Sequence, residues 1–315
     1  MNYKPILIVP GDPDSIFFEI FFKTLKKKQT KSPIILITSL SLVRKYINKY
    51  NPNVKLSEIK TSELYKQNFN KRIIYIININ YKLNKNTKNY LNECFYEAFK
   101  ILKSGFTNKF LNGPITKKNF LNKKFLGITE FISHEFNSKK KAMLIYNKKL
   151  SVCPITTHLP ISMVAKNINK KTIKEKVILI NSFYKKQFKI KPRIGVLGLN
   201  PHCESIKKIN EDDVILKPII KSLKKLNYKI SGPYSADTCF IKQNRVKFDV
   251  IIGMYHDQVL TPLKTLFEYD AINITLGLPF IRISPDHGPN KKMLGKNASN
   301  PLSLIRAIEF LDKKN

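Results

Sequence analysis

The segment FDVIIGMYHDQ, residues 248–258, combines an apolar run rich in β-branched residues with a polar His-Asp pair at its end. Two other segments have the same form, SVCPITTHLP at 151–160 and RIGVLGLNPH at 193–202. Short runs of this kind indicate buried strands, and the helical periodicity between most of them indicates α/β architecture with a mainly parallel sheet.

The same criterion, applied along the chain, predicts further strands and helices. The predicted strands are 6–9, 33–38, 73–79, 142–146, 151–156, 193–199, 248–254 and 271–275. Helices are predicted at 86–104 and 172–188, and a last helix is predicted to begin at Asn300 and Pro301, a good cap followed by a good first residue.

Three of the 5 histidines follow an apolar run directly: His158, His202 and His256. Because ligands gather at the carboxyl ends of strands in open α/β sheets, these imidazoles could converge on one divalent ion such as zinc, cobalt, nickel or iron. The alternative is that they are unrelated histidines at strand ends or turns. His287 also follows an apolar run, so position alone does not select three.

Length and composition favour a folded protein with room for two domains. The chain has 315 residues, of which 43% are hydrophobic, and 17 prolines. No apolar run reaches the roughly 20 residues of a membrane span. The 4 cysteines contain no CxxC pair, so we expect a reducing, cytoplasmic location without a thiolate zinc site or disulfide framework.

The formal charge of +35 raises the possibility of nucleic-acid binding. Only six of the 57 basic residues are arginine, although the Arg fork is the preferred donor to phosphates and bases. The remaining lysines are spread along the chain among many Asn and Ile residues. A solvated lysine surface is therefore favoured over a nucleic-acid footprint, and we expect no membrane partner.

Phosphate-binding loops of the usual kinds are missing. No GxGxxG follows a predicted strand, which disfavours an ordinary Rossmann site. The segment DHGPNKKMLGKNASNP, 286–301, combines turn formers with a helix start and could hold a nucleotide on backbone groups. A plain surface loop is the alternative.

Lys264, Asn273 and Arg282 follow the His256 run at intervals of nine residues. They offer cationic and amide donors to a substrate phosphate or carboxylate. Taken singly, each is more often a surface or structural residue, but Arg282 is unusual because it interrupts an apolar run.

Several motifs together resemble the 4-hydroxythreonine-4-phosphate dehydrogenases of vitamin B6 synthesis. They occur in the family's order and cover nearly the whole chain, most closely from residue 154 onward. The motifs are GPITK (113–117), ITEF (128–131), TTHLP (156–160), GLNPH (198–202), GPYSADT (232–238), MYHDQ (254–258), NITLGLPFIRISPDHG (273–288) and NPLSLIRAI (300–308).

This resemblance implies two α/β/α domains around a central cleft, related to the isocitrate and isopropylmalate dehydrogenases. We expect 1–118 with 286–315 to form the first domain and 119–285 the second. The resemblance also implies a cytoplasmic homodimer with each active site at the subunit boundary. The implied reaction oxidises 4-phosphohydroxy-L-threonine with NAD, or alternatively with NADP, to a 3-keto acid that decarboxylates.

The family motifs also imply roles for single residues. One divalent ion per subunit, zinc, magnesium or cobalt, would be held by His158, His202 and His256. The implied substrate contacts are Thr129, Lys264, Asn273 and Arg282, and Asp237 and Asp257 are candidates for the acid, the base or a partner beside the metal. Cofactor contacts are expected at Asp286, His287, Gly288, Gly295 and Asn297.

The sequence departs from the family pattern at several positions. Ile128 stands where the family has a substrate-contacting His, and Lys292 stands where an Asp is usual. The segments GDPDSIFFE (11–19) and CESIKKIN (203–210) lack family glycines. Ile128 favours an alternative substrate, a phosphorylated sugar acid such as threonate or erythronate 4-phosphate. A lysine-rich nucleic-acid-binding protein is the alternative from a different class.

Overall fold

A computed structural model of the protein describes residues 3–50, 54–81, 86–116, 125, 127–206, 209–285 and 288–314. The chain divides into two units, Met1–Phe136 with Leu278–Asn315, and Asn137–Gly277. These bounds differ from the predicted 118/119 and 285/286. The first boundary differs because the helix at Ile128–Glu135 packs into the first unit, where Phe131 lies 5.7 Å from Phe99 between ring centroids. The second differs because the strand Ile281–Pro285 pairs with Lys109–Asn112 of the first unit.

Unit 1 contains a parallel sheet in the order β3-β4-β2-β1-β5-β12. Its strands are β1 Ile6–Val9, β2 Ile34–Thr38, β3 Lys55–Glu58, β4 Ile73–Asn78, β5 Lys109–Asn112 and β12 Ile281–Pro285. Its helices are α1 Phe17–Lys27, α2 Leu40–Tyr50, α3 Thr87–Lys103, α4 Ile128–Glu135 and α11 Leu302–Leu311.

The core of unit 1 forms because the central strands are apolar on both faces. Every residue of β1 is buried, as expected for a parallel strand covered by helices on either side. On one face, α3 places Phe95 and Phe99 against Leu7 and Phe110. Asn86 caps α3 by accepting a hydrogen bond from the Lys88 N–H, at 3.1 Å.

Unit 2 contains a sheet in the order β11-β6-β7-β10-β8-β9, in which β6 is antiparallel to both of its neighbours. Its strands are β6 Ala142–Tyr146, β7 Ser151–Thr156, β8 Ile194–Leu197, β9 Ile230–Tyr234, β10 Val250–Tyr255 and β11 Ile272–Leu276. Its helices are α5 Val164–Asn167, α6 Lys170–Phe188, α7 Lys217–Lys225, α8 Ala236–Cys239, α9 Lys242–Arg245 and α10 His256–Phe267, and Asp212–Leu216 forms a π-helical turn before α7.

The predicted α/β class is confirmed, and each of the eight predicted strands corresponds to an observed one with ends within two residues. The predicted helices correspond to α3 and α6, and Asn300 Oδ1 accepts a hydrogen bond from the Leu302 N–H at the start of α11. Four strands were missed, β3, β5, β9 and β12. No helix within the described residues is long and apolar enough to cross a membrane.

Candidate functional site

The three histidines follow three adjacent parallel strands of unit 2. His158 comes two residues after β7, His256 follows β10 directly, and His202 lies in the segment after β8. In the sheet β10 lies between β7 and β8, with Tyr255 paired to Thr156. Because parallel neighbours end at the same edge, all three imidazoles belong to one edge of this sheet, which we call the histidine edge.

His158 and His256 are close to each other. Their ring centroids lie 6.0 Å apart, with the planes inclined by 34°. A ring that binds a metal through nitrogen has its centroid about 3 Å from the ion, because the metal–nitrogen bond is about 2.0–2.1 Å long. This spacing therefore leaves room for one ion bound by both rings.

The backbone at two of these histidines adopts an unusual conformation. His158 has φ 55° and His202 has φ 54°, in the left-handed region that non-glycine residues seldom occupy. Such conformations cost about 1–3 kcal/mol and persist where the surrounding structure enforces them. Both side chains are exposed, so burial of the rings does not explain these conformations.

His256 is oriented by its neighbour in sequence. Its Nδ1 lies 2.6 Å from Asp257 Oδ1, and a carboxylate on one ring nitrogen directs the other nitrogen toward a ligand. Asp237 lies on α8, just after the end of β9, and is exposed. Both aspartates predicted for proton transfer thus belong to the histidine edge.

The fit to a metal ion is partial. Among the residues that the structure describes, no group of three or more His, Cys, Asp or Glu side chains is assembled closely enough to hold an ion. The donor chemistry is appropriate, since neutral imidazole is a common ligand of zinc and similar ions. His158 and His256 are together, and His202 follows the neighbouring strand.

Asn273 does not belong to the histidine edge. Asn273 is the register partner of Ile145 on β6, and Ile145 is the register partner of Val152 near the start of β7. Four further residues of β7 separate this level from Thr156, a distance of about 13 Å at about 3.3 Å per residue. The Oδ1 atom of Asn273 is buried and has no hydrogen-bond partner among the described residues.

Lys264 also lies away from the histidine edge. Helix α10 starts at that edge and runs back along β7 and β10 toward the start of β11. Eight residues separate His256 from Lys264, which corresponds to about 12 Å along the helix axis at about 1.5 Å per residue. The lysine side chain is exposed.

Arg282 and Thr129 are in contact within unit 1. Arg282 is 1% exposed, its Nε donates to Asn112 Oδ1 at 2.8 Å, and its Nη1 donates to Thr129 Oγ1 at 3.2 Å. Burial lowers the pKa of Arg282 to about 10, and the charge of Glu130 opposes this shift. The guanidinium therefore remains charged at neutral pH, and its hydrogen bonds to Asn112 and Thr129 fix its position.

The predicted nucleotide segment packs on α1. Lys23 Nζ donates to the carbonyls of Asn297 and Ser299 at 2.8 and 3.0 Å, and buried Glu19 accepts from the Ser299 N–H at 2.8 Å. Burial alone would raise the pKa of Glu19, but hydrogen bonds from Lys23 and Ser299 lower it overall. The segment is thus anchored by charged groups.

Of the residues predicted to bind the cofactor, Gly288, Gly295 and Asn297 are exposed. Gly295 has φ +85° and Asn297 has φ 53°, so the backbone turns sharply here. Asp286 and His287 lie outside the described residues.

Sequence reasoning missed three polar residues beside the candidate sites. Asn112 binds Arg282, while Asp212 and Gln258 bind the backbone near His202 and His256. The available signal was weak: Asn112 ends the short apolar run KFLN, and Gln258 closes the motif MYHDQ. Nothing in the sequence distinguishes Asp212 from its acidic neighbours Glu211 and Asp213.

Comparison with known proteins supplies an independent result. The family model described as pyridoxal phosphate biosynthetic protein PdxA matches residues 29–311. A 4-hydroxythreonine-4-phosphate dehydrogenase of Sulfurihydrogenibium is 36% identical over 97% of this chain and 96% of its own length. A D-threonate 4-phosphate dehydrogenase of Salmonella typhimurium is 29% identical, covering 91% and 92% of the two chains.

Solved structures agree with these relatives. The crystal structure of a 4-hydroxythreonine-4-phosphate dehydrogenase from Klebsiella pneumoniae has a TM-score of 0.81 at 26% identity, with 98% of each chain covered. An isocitrate dehydrogenase from Methylococcus capsulatus has a TM-score of 0.51 at 11% identity, covering 98% of this chain and 84% of its own. At that identity the likeness concerns the fold alone, and it agrees with the predicted dehydrogenase-like fold.

The burial of Arg282 leads to a prediction about stability. Arg282→Lys keeps the charge but replaces the planar fork, whose separate nitrogens bind Asn112 and Thr129, with a single ammonium that cannot reproduce both hydrogen bonds. We expect the free energy of unfolding to fall by about 1–3 kcal/mol. Denaturant unfolding measures the change, with Arg44→Lys on the exposed face of α2 as the control. Equal stability of the two variants would contradict this role.

Proposed function

The chain belongs to the PdxA family of pyridoxal phosphate biosynthetic proteins, and on that premise we propose that it oxidises 4-phosphohydroxy-L-threonine with NAD. The secondary alcohol loses a hydride to the nicotinamide and a proton to a base, and the resulting 3-keto acid loses carbon dioxide to give 3-amino-2-oxopropyl phosphate. The observation that carries this proposal is the 36% identity to a dehydrogenase of this substrate over nearly the whole of both chains.

In this proposal His158, His202 and His256 hold one divalent ion, either zinc, magnesium or cobalt. Such an ion would supply Lewis acidity toward the substrate's hydroxyl and keto oxygens. The supporting observations are the common edge of the three strands and the 6.0 Å between the His158 and His256 rings. Asp257 orients the His256 ring, and Asp237 is the further candidate for accepting the hydroxyl proton.

Substrate recognition is assigned to Thr129, Lys264, Asn273 and Arg282. A doubly ionised phosphate needs charge-assisted donors, which the Lys264 ammonium and the Arg282 guanidinium can provide. Arg282 also binds Thr129, so the arginine can orient the threonine hydroxyl for the substrate. Asn273 brings an amide whose Oδ1 has no partner among the described residues.

We propose that NAD binds at Asp286, His287, Gly288, Gly295 and Asn297. The turns at Gly295 and Asn297, held on α1 by Lys23 and Glu19, provide an anchored backbone for a nucleotide. Exposed Lys292 lies in the same segment, and its cationic side chain makes NADP the alternative, since a cation can accommodate a 2′-phosphate.

We further propose that the enzyme acts as a homodimer with shared active sites. Asn273 has a short side chain and lies about 13 Å from the histidine edge along the strands of its own unit. This separation is longer than a four-carbon chain, which favours contacts from two copies over contacts from one. A second copy that contributes its histidines would complete the site, and a closed two-fold dimer produces two such sites.

The alternative substrate is a phosphorylated sugar acid such as threonate or erythronate 4-phosphate. Two observations favour it: the D-threonate 4-phosphate dehydrogenase relative, and Ile128, an apolar residue that packs against the core of unit 1 at the start of α4. Such a substrate lacks the amino group of 4-phosphohydroxythreonine but has the same secondary alcohol chemistry.

One prediction concerns the substrate. We expect NAD reduction with 4-phosphohydroxy-L-threonine to have a higher kcat/KM than with D-threonate 4-phosphate, and to depend on added zinc, magnesium or cobalt after chelation. Steady-state absorbance of NADH measures both. A higher kcat/KM for threonate 4-phosphate would establish the alternative, and inactivity with both substrates would reject the proposed function.

Another prediction concerns the metal ligands. Replacing His158, His202 or His256 by Ala should abolish turnover and release the metal while leaving cooperative unfolding intact, because these rings lie at a strand edge outside the core. Metal analysis and circular dichroism provide the readouts, with His134→Ala as the control because that histidine is 70% exposed on α4. Full metal occupancy in any one variant would remove that residue from the ligand set.

A further prediction concerns the shared site. A mixed dimer of one His256→Ala and one Asn273→Ala subunit has one site with both residues intact and one site with neither. Since about half of randomly assembled dimers are mixed, we expect about one quarter of wild-type activity. Co-expression with two affinity tags provides the mixture. Mixed dimers of His158→Ala and His256→Ala are the control and should remain inactive, because every site lacks one ligand. If the first mixture is equally inactive, the site is contained within one chain.

A further inference from the structure

One side chain connects the end of β10 to the segment that carries His202. Gln258 lies two residues after His256, and its Oε1 accepts a hydrogen bond from the Met254 N–H at 2.7 Å. Its Nε2 donates to the Gly198 carbonyl at 2.8 Å. Both ends of the amide are therefore used, one on each of two neighbouring strand ends.

A glycine allows this close approach. A Cβ at Gly253 would lie 2.4 Å from Val259 Cγ1 and 2.9 Å from Gln258 Oε1. Contacts below 3.0 Å would displace the amide, so a larger residue at position 253 is incompatible with the Gln258 bridge as observed.

A second side chain connects β7 to the same peptide segment of β10. Buried Thr156, two residues before His158, donates from Oγ1 to the Met254 carbonyl at 2.7 Å. The backbone N–H and carbonyl of Met254 are thus each bound by a side chain, Gln258 and Thr156 respectively. Met254 lies two residues before His256, so its position is tied to both neighbouring strand ends.

The third connection involves a fully buried carboxylate. Asp212, at 0% exposure, begins the π-helical turn that precedes α7. Its Oδ1 accepts from the Leu199 N–H at 2.8 Å, and its Oδ2 accepts from the backbone and side-chain amides of Asn200 at 3.0 and 2.8 Å. The buried Asp212 carboxylate thus accepts hydrogen bonds from three N–H groups, and these bonds hold the backbone that leads into His202.

We infer that Thr156, Gln258 and Asp212 are positioning residues that hold the three histidine-bearing segments in one arrangement. The inference rests on the proposed metal site. The imidazoles lie on exposed or half-buried backbone beyond the strand ends, so their mutual spacing is set by that backbone. Thr156, Gln258 and Asp212 bind this backbone from the interior and so keep the histidine ligands preorganised. Loss of these hydrogen bonds should weaken metal binding even though all three histidines remain.

The test compares two matched glutamine variants. Gln258→Met removes both hydrogen bonds at similar volume, and Gln243→Met makes the same change on the exposed helix α9. Calorimetric titration of chelator-treated full-length protein with Zn²⁺ or Co²⁺ should show a Kd about 10–100-fold higher for Gln258→Met. The Kd of Gln243→Met and the Kd of NADH in both variants should equal the wild-type values.

A second pair of variants serves if Gln258→Met does not fold. Thr156→Val removes only the hydroxyl donor and should weaken metal binding, whereas Thr156→Ser retains that donor and should restore it. Amide hydrogen exchange of residues 197–203 and 254–258 in the metal-free protein should be faster in Gln258→Met than in the wild type. This reports directly the loss of the Gln258 hydrogen bonds between the two strand ends.

The possible failures are distinguishable. Wild-type protein that binds no divalent ion would overturn the proposed metal site and this inference together. Normal metal binding by the wild type, with unchanged Kd in both Gln258→Met and Thr156→Val, would overturn this inference alone. Faster amide exchange without a change in metal Kd would show that these hydrogen bonds stabilise the backbone but do not position the metal ligands, and this result would also overturn the inference.

Discussion

Parallel pairing of β7, β10 and β8 is the constraint on which the candidate site depends. It brings to one sheet edge three histidines that are separated by 44 and 54 residues in the sequence. No local motif could achieve this, because each ligand comes from a different βα unit. The pairing in turn depends on near-complete burial of the three strands, which requires helices on both faces and accounts for their continuous apolar sequences.

Fold prediction from the sequence succeeded where a strand is continuously apolar and failed where packing decides. Strands 6–9, 142–146 and 151–156 were predicted to the residue. The missed strand β3, KLSE, is mostly polar and lies at the end of the strand order, paired with β4. Strand β5 begins with Lys109, which is buried because its ammonium binds Ser32 and the Lys313 carbonyl. Such partners are distant in sequence, so no local pattern reveals them.

The functional residues could be named from family motifs, but their grouping depends on strand direction. Strand β6 runs antiparallel to both β7 and β11, so β11 and β7 run in the same direction, and Asn273 near the start of β11 lies at the same end of the sheet as the start of β7. Apolar periodicity in a sequence does not show in which direction each strand runs within the sheet. Asn273 and His256 are therefore close in the sequence although they lie at different ends of one sheet. The burial of Arg282 is hidden for a similar reason, because its acceptor Asn112 lies 170 residues away.

Strain and support occur together at the histidine edge. The left-handed backbone conformation at His158 and His202 is unfavourable by itself. It persists because neighbouring interactions offset its cost. The carboxylate of Asp212 and the hydroxyl of Thr156 supply such interactions from the interior. Lys176 adds another, since its buried ammonium donates to the carbonyls of Pro154 and Ile155, each at 2.8 Å, at the end of β7. In a chain with a charge of +35, this cation stabilises the sheet edge that carries the candidate ligands, and the lysine excess is therefore not confined to the surface.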